Sequence, residues 1–241
     1  RDVLLLKKLS ELADINIITN TAYYGGSDNK YLPTHAFDET AGQLAERWIR
    51  EWETGIEGTG IKPGFMKISV NPGNLTTISQ KLVSAAAKAH LKTGLVIASH
   101  TGPAVAAQEE IEILKKNGVS PEAFIWVHAQ NETDWNQYVK FARSEVWVSL
   151  DGLNESNVST YTDMLLLMKK EKCLHRTLIS HDAGWYEPGK PDGGNFRGYT
   201  VLFKKLLPAL EAAGFSKTEM QQLVQQNPHE AFTIRVRQWP N

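Results

Sequence analysis

Four side chains able to hold a divalent cation, or to become able to, stand on four short apolar runs. His100 closes Leu95-Val96-Ile97-Ala98-Ser99, His128 closes Phe124-Ile125-Trp126-Val127, and Asp182 follows Leu178-Ile179-Ser180-His181. Lys67 lies inside Phe65-Met66-Lys67-Ile68-Ser69-Val70. Imidazole nitrogen and carboxylate oxygen are ordinary donors to zinc-like ions, so this set suggests a metal site. Strand alternation adds direction. Phe65, Lys67, Ser69 and Asn71 share one face, while Met66, Ile68 and Val70 share the other, which suits packing beneath helices. Lys67 therefore points away from the helix layer, where an amine is costly unless something neutralises or uses it. Each residue also has a plainer reading. A single strand-end histidine is most often a hydrogen-bonded structural group, a strand-end aspartate is often a helix N-cap, and a lysine can reach out to water. The conjunction on four strands, with the faces agreeing, favours the metal. His35, His90, His175 and His229 lack such placement and read as surface or capping residues. His181, on the face opposite Asp182, reads as packing or as support for its neighbour.

The elements that must position these residues alternate along the chain. Apolar runs at 15–18, 65–70, 95–99, 124–127, 146–150 and 177–180 read as strands. Helical patterns cover 2–13, 39–54 (with Asp38 as N-cap), 77–92, 103–117, 133–143, 156–172, 199–213 and 217–226. Gly94, Gly118 and Gly214 stand where helix C-caps are wanted, and a terminal turn starts at Pro228. No hairpin signal joins successive strands, which implies a parallel sheet. No linker-like segment divides the chain, so residues 1–241 read as one domain. In a parallel α/β barrel the C-terminal strand ends carry the active site, and the face away from the helices is the interior.

Composition narrows the function classes. The 241 residues are 41% hydrophobic and 22% charged, the balance of a globular chain rather than of disorder or collagen. No apolar run reaches the ~18 residues of a membrane span. Lys+Arg total 26 against Asp+Glu 27, which argues against nucleic acid or an anionic membrane as partner. Cys173 is the single cysteine. It permits neither an internal disulfide nor a cysteine zinc site, and it reads as inert packing at a helix end. Glycine-rich dinucleotide, P-loop and nucleophile-elbow motifs are absent. The expected partner is a small-molecule substrate, with a homodimer left open. Asn-x-Ser/Thr triplets at Asn74, Asn131, Asn154 and Asn157 carry little weight, and the compartment is unassigned.

Several segments together resemble the phosphotriesterase family of the amidohydrolase superfamily. They are Gly64-Phe65-Met66-Lys67-Ile68, Ser99-His100-Thr101-Gly102-Pro103, Glu109-Glu110-Ile111-Glu112-Ile113-Leu114 with Gly118-Val119, and Val127-His128. Ile179-Ser180-His181-Asp182-Ala183-Gly184-Trp185-Tyr186 and Gln226-Asn227-Pro228-His229-Glu230-Ala231-Phe232 complete the set, in family order over nearly the whole chain. The resemblance implies a TIM-type (β/α)8 barrel and a hydrolase with two divalent metal ions, zinc first among them. It implies that Lys67 is carboxylated by CO2 and that its carbamate bridges both ions. His100 and His128 would bind one ion, and Asp182 the other while taking the proton of the attacking, metal-bridging hydroxide. A carbamate offers two anionic oxygens where an ammonium would repel cations, and burial favours the neutral amine that captures CO2.

The departures are informative. The family's other ion is held by a His-x-His pair on the first barrel strand, and no His-x-His occurs in this sequence. By motif order the 15–20 segment corresponds to the third strand and 177–180 to the eighth, so the first two strands are expected to lie outside the chain as given. Gly152, in Leu150-Asp151-Gly152, stands where some relatives carry His or Arg, and Asn131 stands where a second relay carboxylate would be. The leading expectation is hydrolysis of a lactone or other carboxylic ester, with a phosphoester second. The 185–197 loop, rich in Gly and Pro, is expected to wall the pocket through Trp185 and Tyr186, with Tyr23 and Tyr24 opposite. The rival is a non-catalytic barrel homologue serving as a binding or scaffold protein.

Overall fold

A computed structural model of the chain describes residues 2–240, with Arg1 and Asn241 outside the described residues. Six short strands and ten α-helices alternate among the described residues. They fall into two compact units, one holding the chain up to Trp126 together with the segment from Ala231, the other Val127–Glu230.

The first unit starts with α1 (Val3–Ala13), β1 (Asn20–Thr21), α2 (His35–Asp38) and α3 (Ala41–Thr54). It continues with β2 (Phe65–Ser69), α4 (Thr77–Thr93), β3 (Ile97–His100), α5 (Ala104–Lys116) and β4 (Phe124–Val127), whose last residue belongs to the second unit. The pairing is parallel: Asn20 and Thr21 lie beside Phe65 and Met66, and Met66 to Ser69 beside Ile97 to His100. Met66, Ile68 and Val70 are buried as the alternation requires, and β2 packs against α4. The first strand departs from expectation. Ile15, Ile17 and Ile18 are exposed and unpaired in the sheet, and the pairing begins at Asn20, with Gly64 N–H bonded to the Thr19 carbonyl at 2.8 Å. Likewise Asp38 ends α2, and α3 is capped by Thr40 in a reciprocal box with Gln43. Thr40 offers a hydroxyl three residues before an amide side chain, a combination that satisfies two orphan N–H groups at once.

Gly94 closes α4 at φ 73, and a Cβ there would sit 2.8 Å from Arg235. The chain end returns along this corner. Arg235 N–H bonds Gly94 O, Arg237 N–H bonds His90 Nε2 at 2.9 Å, and Trp239 N–H bonds Gly118 O. His90, read from sequence as a surface or capping residue, is fully buried. Its Nδ1 meets Leu95 O at 2.8 Å, so the ring is a structural clamp that the local pattern could not reveal.

The second unit holds α6 (Asn136–Arg143), β5 (Trp147–Leu150), α7 (Val158–Lys170), β6 (Thr177–Ile179), α8 (Leu207–Ala212) and α9 (Lys217–Gln221). It also holds most of α10 (Asn227–Phe232). β5 and β6 pair in parallel through Val148–Thr177, Ser149–Leu178 and Leu150–Ile179. Tyr138, Phe141, Trp147, Leu165, Met168 and Leu206 fill its core. The expected helices over 199–213 and 217–226 each contain a π-helical stretch, Leu202–Leu206 and Gln222–Gln226. Cys173 is buried as expected. Asn227, from the sequence's closing motif, bonds the carbonyls of Leu174 and Thr177 at 2.7 Å each, tying α10 to the start of β6.

Candidate functional site

The first unit places Lys67 and His100 on one face of adjacent strands. Lys67 pairs with Ala98 and Ser69 with His100, and side chains two residues apart share a face. The His100 carbonyl is held by Val70 N–H at 3.0 Å and approached by the Ser69 hydroxyl at 3.3 Å. Tyr24 lies edge-on to the His100 ring, centroids 5.2 Å apart, beside an isolated parallel bridge from Tyr24 to Ser69. Tyr23, named with it, is turned instead to His35, 2.9 Å from its Nε2, and to the buried Trp48.

A residue that sequence reasoning passed over controls the surroundings of His100. Glu110, on α5 and fully buried, accepts hydrogen bonds from Ser99 Oγ at 2.5 Å and Thr101 Oγ1 at 2.6 Å. It thus holds both neighbours of His100. Burial raises its carboxyl to about 7, against the opposing pull of those two hydroxyls and the nearby charge of Lys67. The only signal in sequence was a glutamate on the apolar stripe of its helix.

The second unit places His128 just past β4 at φ 62, and Asp182 past β6 at φ 45. Asp151, at the end of β5, takes hold of His128 twice. Its Oδ1 is 2.6 Å from His128 Nδ1, and its Oδ2 accepts the His128 backbone N–H at 2.9 Å. Gln130 donates to the same Oδ1 and Ser149 Oγ to Oδ2, while Gln130 Oε1 accepts the Asp151 N–H. Burial works to raise this carboxyl, but the bonds and charge of His128 outweigh it and hold Asp151 below the usual carboxylate range. An ionised Asp151 makes Nδ1 the protonated nitrogen of His128, so any metal bond from this ring is made by Nε2. This is the carboxylate–histidine arrangement that orients metal ligands.

Beside it, Gly152 has no room for the His or Arg of some relatives without a shift: a Cβ would lie 3.0 Å from Gln130 Nε2 and 3.2 Å from the Tyr161 hydroxyl. Asn131 is exposed and bonds the His128 carbonyl through its own N–H at 3.0 Å. The Asp182 carbonyl receives Trp185 Nε1 at 3.0 Å and an Arg197 guanidinium N–H at 2.6 Å. Trp185 and Tyr186 are 66% and 72% exposed, on the loop expected to form a wall. His181 accepts the Leu202 N–H at 3.0 Å through Nε2, a support role.

Among the described residues no three His, Cys, Asp or Glu side chains stand together as a ready metal cluster. The donor set that the family resemblance implies is of another kind, because it would include a lysine, Lys67, able to bind a cation only if carboxylated. The fit to a cation rests on the His128–Asp151 pair, whose geometry settles which nitrogen is offered.

Parallel strands joined through helices, with the candidate groups at or near the strand ends, define an α/β protein of the barrel class. A solved structure of a lactonase from Listeria monocytogenes superposes with a TM-score of 0.86 at 25% identity, covering 98% of this chain and 78% of that one. The sequence pattern of the Phosphotriesterase family matches residues 1–232, and the chain belongs to that family. It is 28% identical over 224 residues to the Phosphotriesterase homology protein of Escherichia coli, covering 90% of this chain and 74% of that one. It is 26% identical over 245 residues to the aryldialkylphosphatase of Saccharolobus solfataricus, covering 97% and 77%.

Proposed function

We propose that this chain is a metal-dependent hydrolase acting on a lactone or other carboxylic ester, with a phosphoester as the second substrate class. The carrying observation is the doubly held His128, whose Nδ1 is committed to Asp151, a preparation for coordination through Nε2. In this reading Lys67, as its carbamate, His100 and His128 are metal ligands, and Asp182 is both a ligand and the proton acceptor. Two divalent ions, zinc by preference, would polarise the substrate oxygen and acidify water. Asp182 takes the proton as water oxygen bonds to the carbonyl carbon, then returns it to the alkoxide when the C–O bond breaks. In a lactone that alkoxide stays on the same molecule. The exposed Trp185 and Tyr186 lie on the loop that leaves Asp182 and offer apolar surface to the substrate. Family membership and relatives named as a lactonase and an aryldialkylphosphatase support the class of reaction.

A second reading is a non-catalytic homologue serving as a binding or scaffold protein. Metal content and turnover separate the two. The full-length protein, prepared with zinc and bicarbonate, is expected to retain metal and to hydrolyse a γ-lactone or 4-nitrophenyl acetate faster than a dialkyl aryl phosphate, whereas residues 1–241 alone, with no His-x-His pair, are expected to show little or no turnover. Asp182→Asn is expected to lower turnover by ~10²–10⁴-fold. A full-length protein that stays metal-free and inactive would favour the scaffold reading instead.

A further inference from the structure

Arg197 lies 15 positions after Asp182 along the chain, at the far end of the glycine-rich loop, and its side chain folds back to the loop's beginning. One guanidinium nitrogen, Nη2, donates to the Asp182 carbonyl at 2.6 Å, and the other, Nη1, to the Leu153 carbonyl at 3.0 Å. The Arg197 carbonyl in turn accepts the Gly184 N–H at 3.0 Å. The loop is thereby closed at its base by both the main chain and the side chain of one residue. The two carbonyls that Arg197 bridges follow β6 and β5, where Leu153 N–H to Ser180 O continues the pairing beyond the strands. Two acceptors on separate segments suit the planar, two-pronged guanidinium and not a single ammonium.

The held residue needs holding. Asp182 has φ 45, the left-handed region, which a residue bearing a Cβ adopts less readily than glycine. A backbone in that state persists when its surroundings over-determine it, and here Arg197 and Trp185 both donate to its carbonyl. Gly184, at φ 81, completes the bend, and a Cβ there would run into the Tyr199 hydroxyl. Losing the Arg197 and Trp185 bonds to its carbonyl would release the Asp182 backbone from this conformation, and the side chain it carries would then be free to shift.

We propose that Arg197 is a positioning residue for Asp182, fixing the direction of its carboxylate and coupling it to the state of the 183–197 loop. This rests on the reading of Asp182 as metal ligand and proton acceptor. The test compares wild type, Arg197→Met and Arg197→Lys. Zinc affinity is read by chelator competition, turnover with 4-nitrophenyl acetate, and amide exchange at Gly184. Arg197→Met is expected to weaken zinc retention ~10-fold. It is expected to lower kcat ~10–100-fold with a smaller change in KM, because misplacing a reacting group by about 1 Å costs on that order. Added guanidinium ion is expected to restore part of the loss, and Arg197→Lys to fall between. Wild-type zinc affinity and kcat in Arg197→Met would overturn the proposal. So would a loss matched by a general drop in thermal stability and untouched by guanidinium. If wild type neither binds zinc nor hydrolyses the ester, the hydrolase reading fails instead. Arg197 is then judged on exchange alone, and Gly184 protection surviving in Arg197→Met overturns the clasp.

Discussion

Asp151 grips His128 at two atoms, Oδ1 on the ring Nδ1 at 2.6 Å and Oδ2 on the backbone N–H at 2.9 Å. One carboxylate thus sets both the ring's tautomer and the path of the chain that carries it. Asp151→Ala removes both holds and is expected to weaken metal binding 10–100-fold. Asp151→Asn is expected to do nearly as much harm despite its shape. An amide that accepts the backbone N–H presents its NH2 to Nδ1, which then becomes the acceptor and moves the ring proton to Nε2. The ¹⁵N shifts of His128 report the tautomer directly, and chelator competition reports the affinity. An Asn variant with wild-type tautomer and affinity would refute the assignment.

Lys67 shares its face with His100 on the neighbouring strand. Metal-loaded protein grown with ¹³C-bicarbonate is expected to show a carbamate carbon, lost when the metal is stripped. Lys67→Met is expected to lose that signal and most bound metal while remaining folded. Fully metallated protein with an unmodified Lys67 would end the bridging role.

Glu110 gives a pH effect of definite sign. Burial raises its carboxyl from the ordinary 4.5 to about 7. Between those values the unfolded chain has released a proton that the folded chain keeps, so stability falls as pH rises through that window. The full span is about 3 kcal/mol. Glu110→Gln can still accept from one hydroxyl and donate to the other. It is expected to be the more stable protein at pH 8, with the advantage gone near pH 4.5. Urea unfolding at the two pH values is the measurement.

His90 works in the opposite direction. Burial holds its ring below the usual 6.5, and Nε2 must stay unprotonated to accept the Arg237 N–H. Stability carried by this ring is present above pH 6.5 and is lost as pH falls below it, at up to about 1.4 kcal/mol per pH unit. Just below pH 6.5 the wild-type profile therefore sums two opposed slopes. His90→Gln keeps an acceptor for Arg237 and leaves the Leu95 carbonyl without its donor, so it is expected to be less stable at neutral pH. Its stability is then expected to fall more steeply with rising pH through this window than that of wild type, because only the Glu110 contribution is left.

The local pattern was enough to place Lys67, His100, His128 and Asp182 on or beside four strands, because strand alternation and helix periodicity are written in neighbouring residues. It also determined the parallel strand–helix order, while the family was legible only as a resemblance carried by the motif segments. It misjudged 15–18, since an apolar run carries strand propensity but the partner strand sets the register, and β2 meets the chain at Asn20. The groups that govern the candidate ligands were out of its reach. Asp151 is 23 positions from His128, Arg197 is 44 from Leu153, and Arg237 is 147 from His90. A hydrogen bond depends on where two segments lie in space, and only the tertiary fold brings those segments within 3 Å of each other.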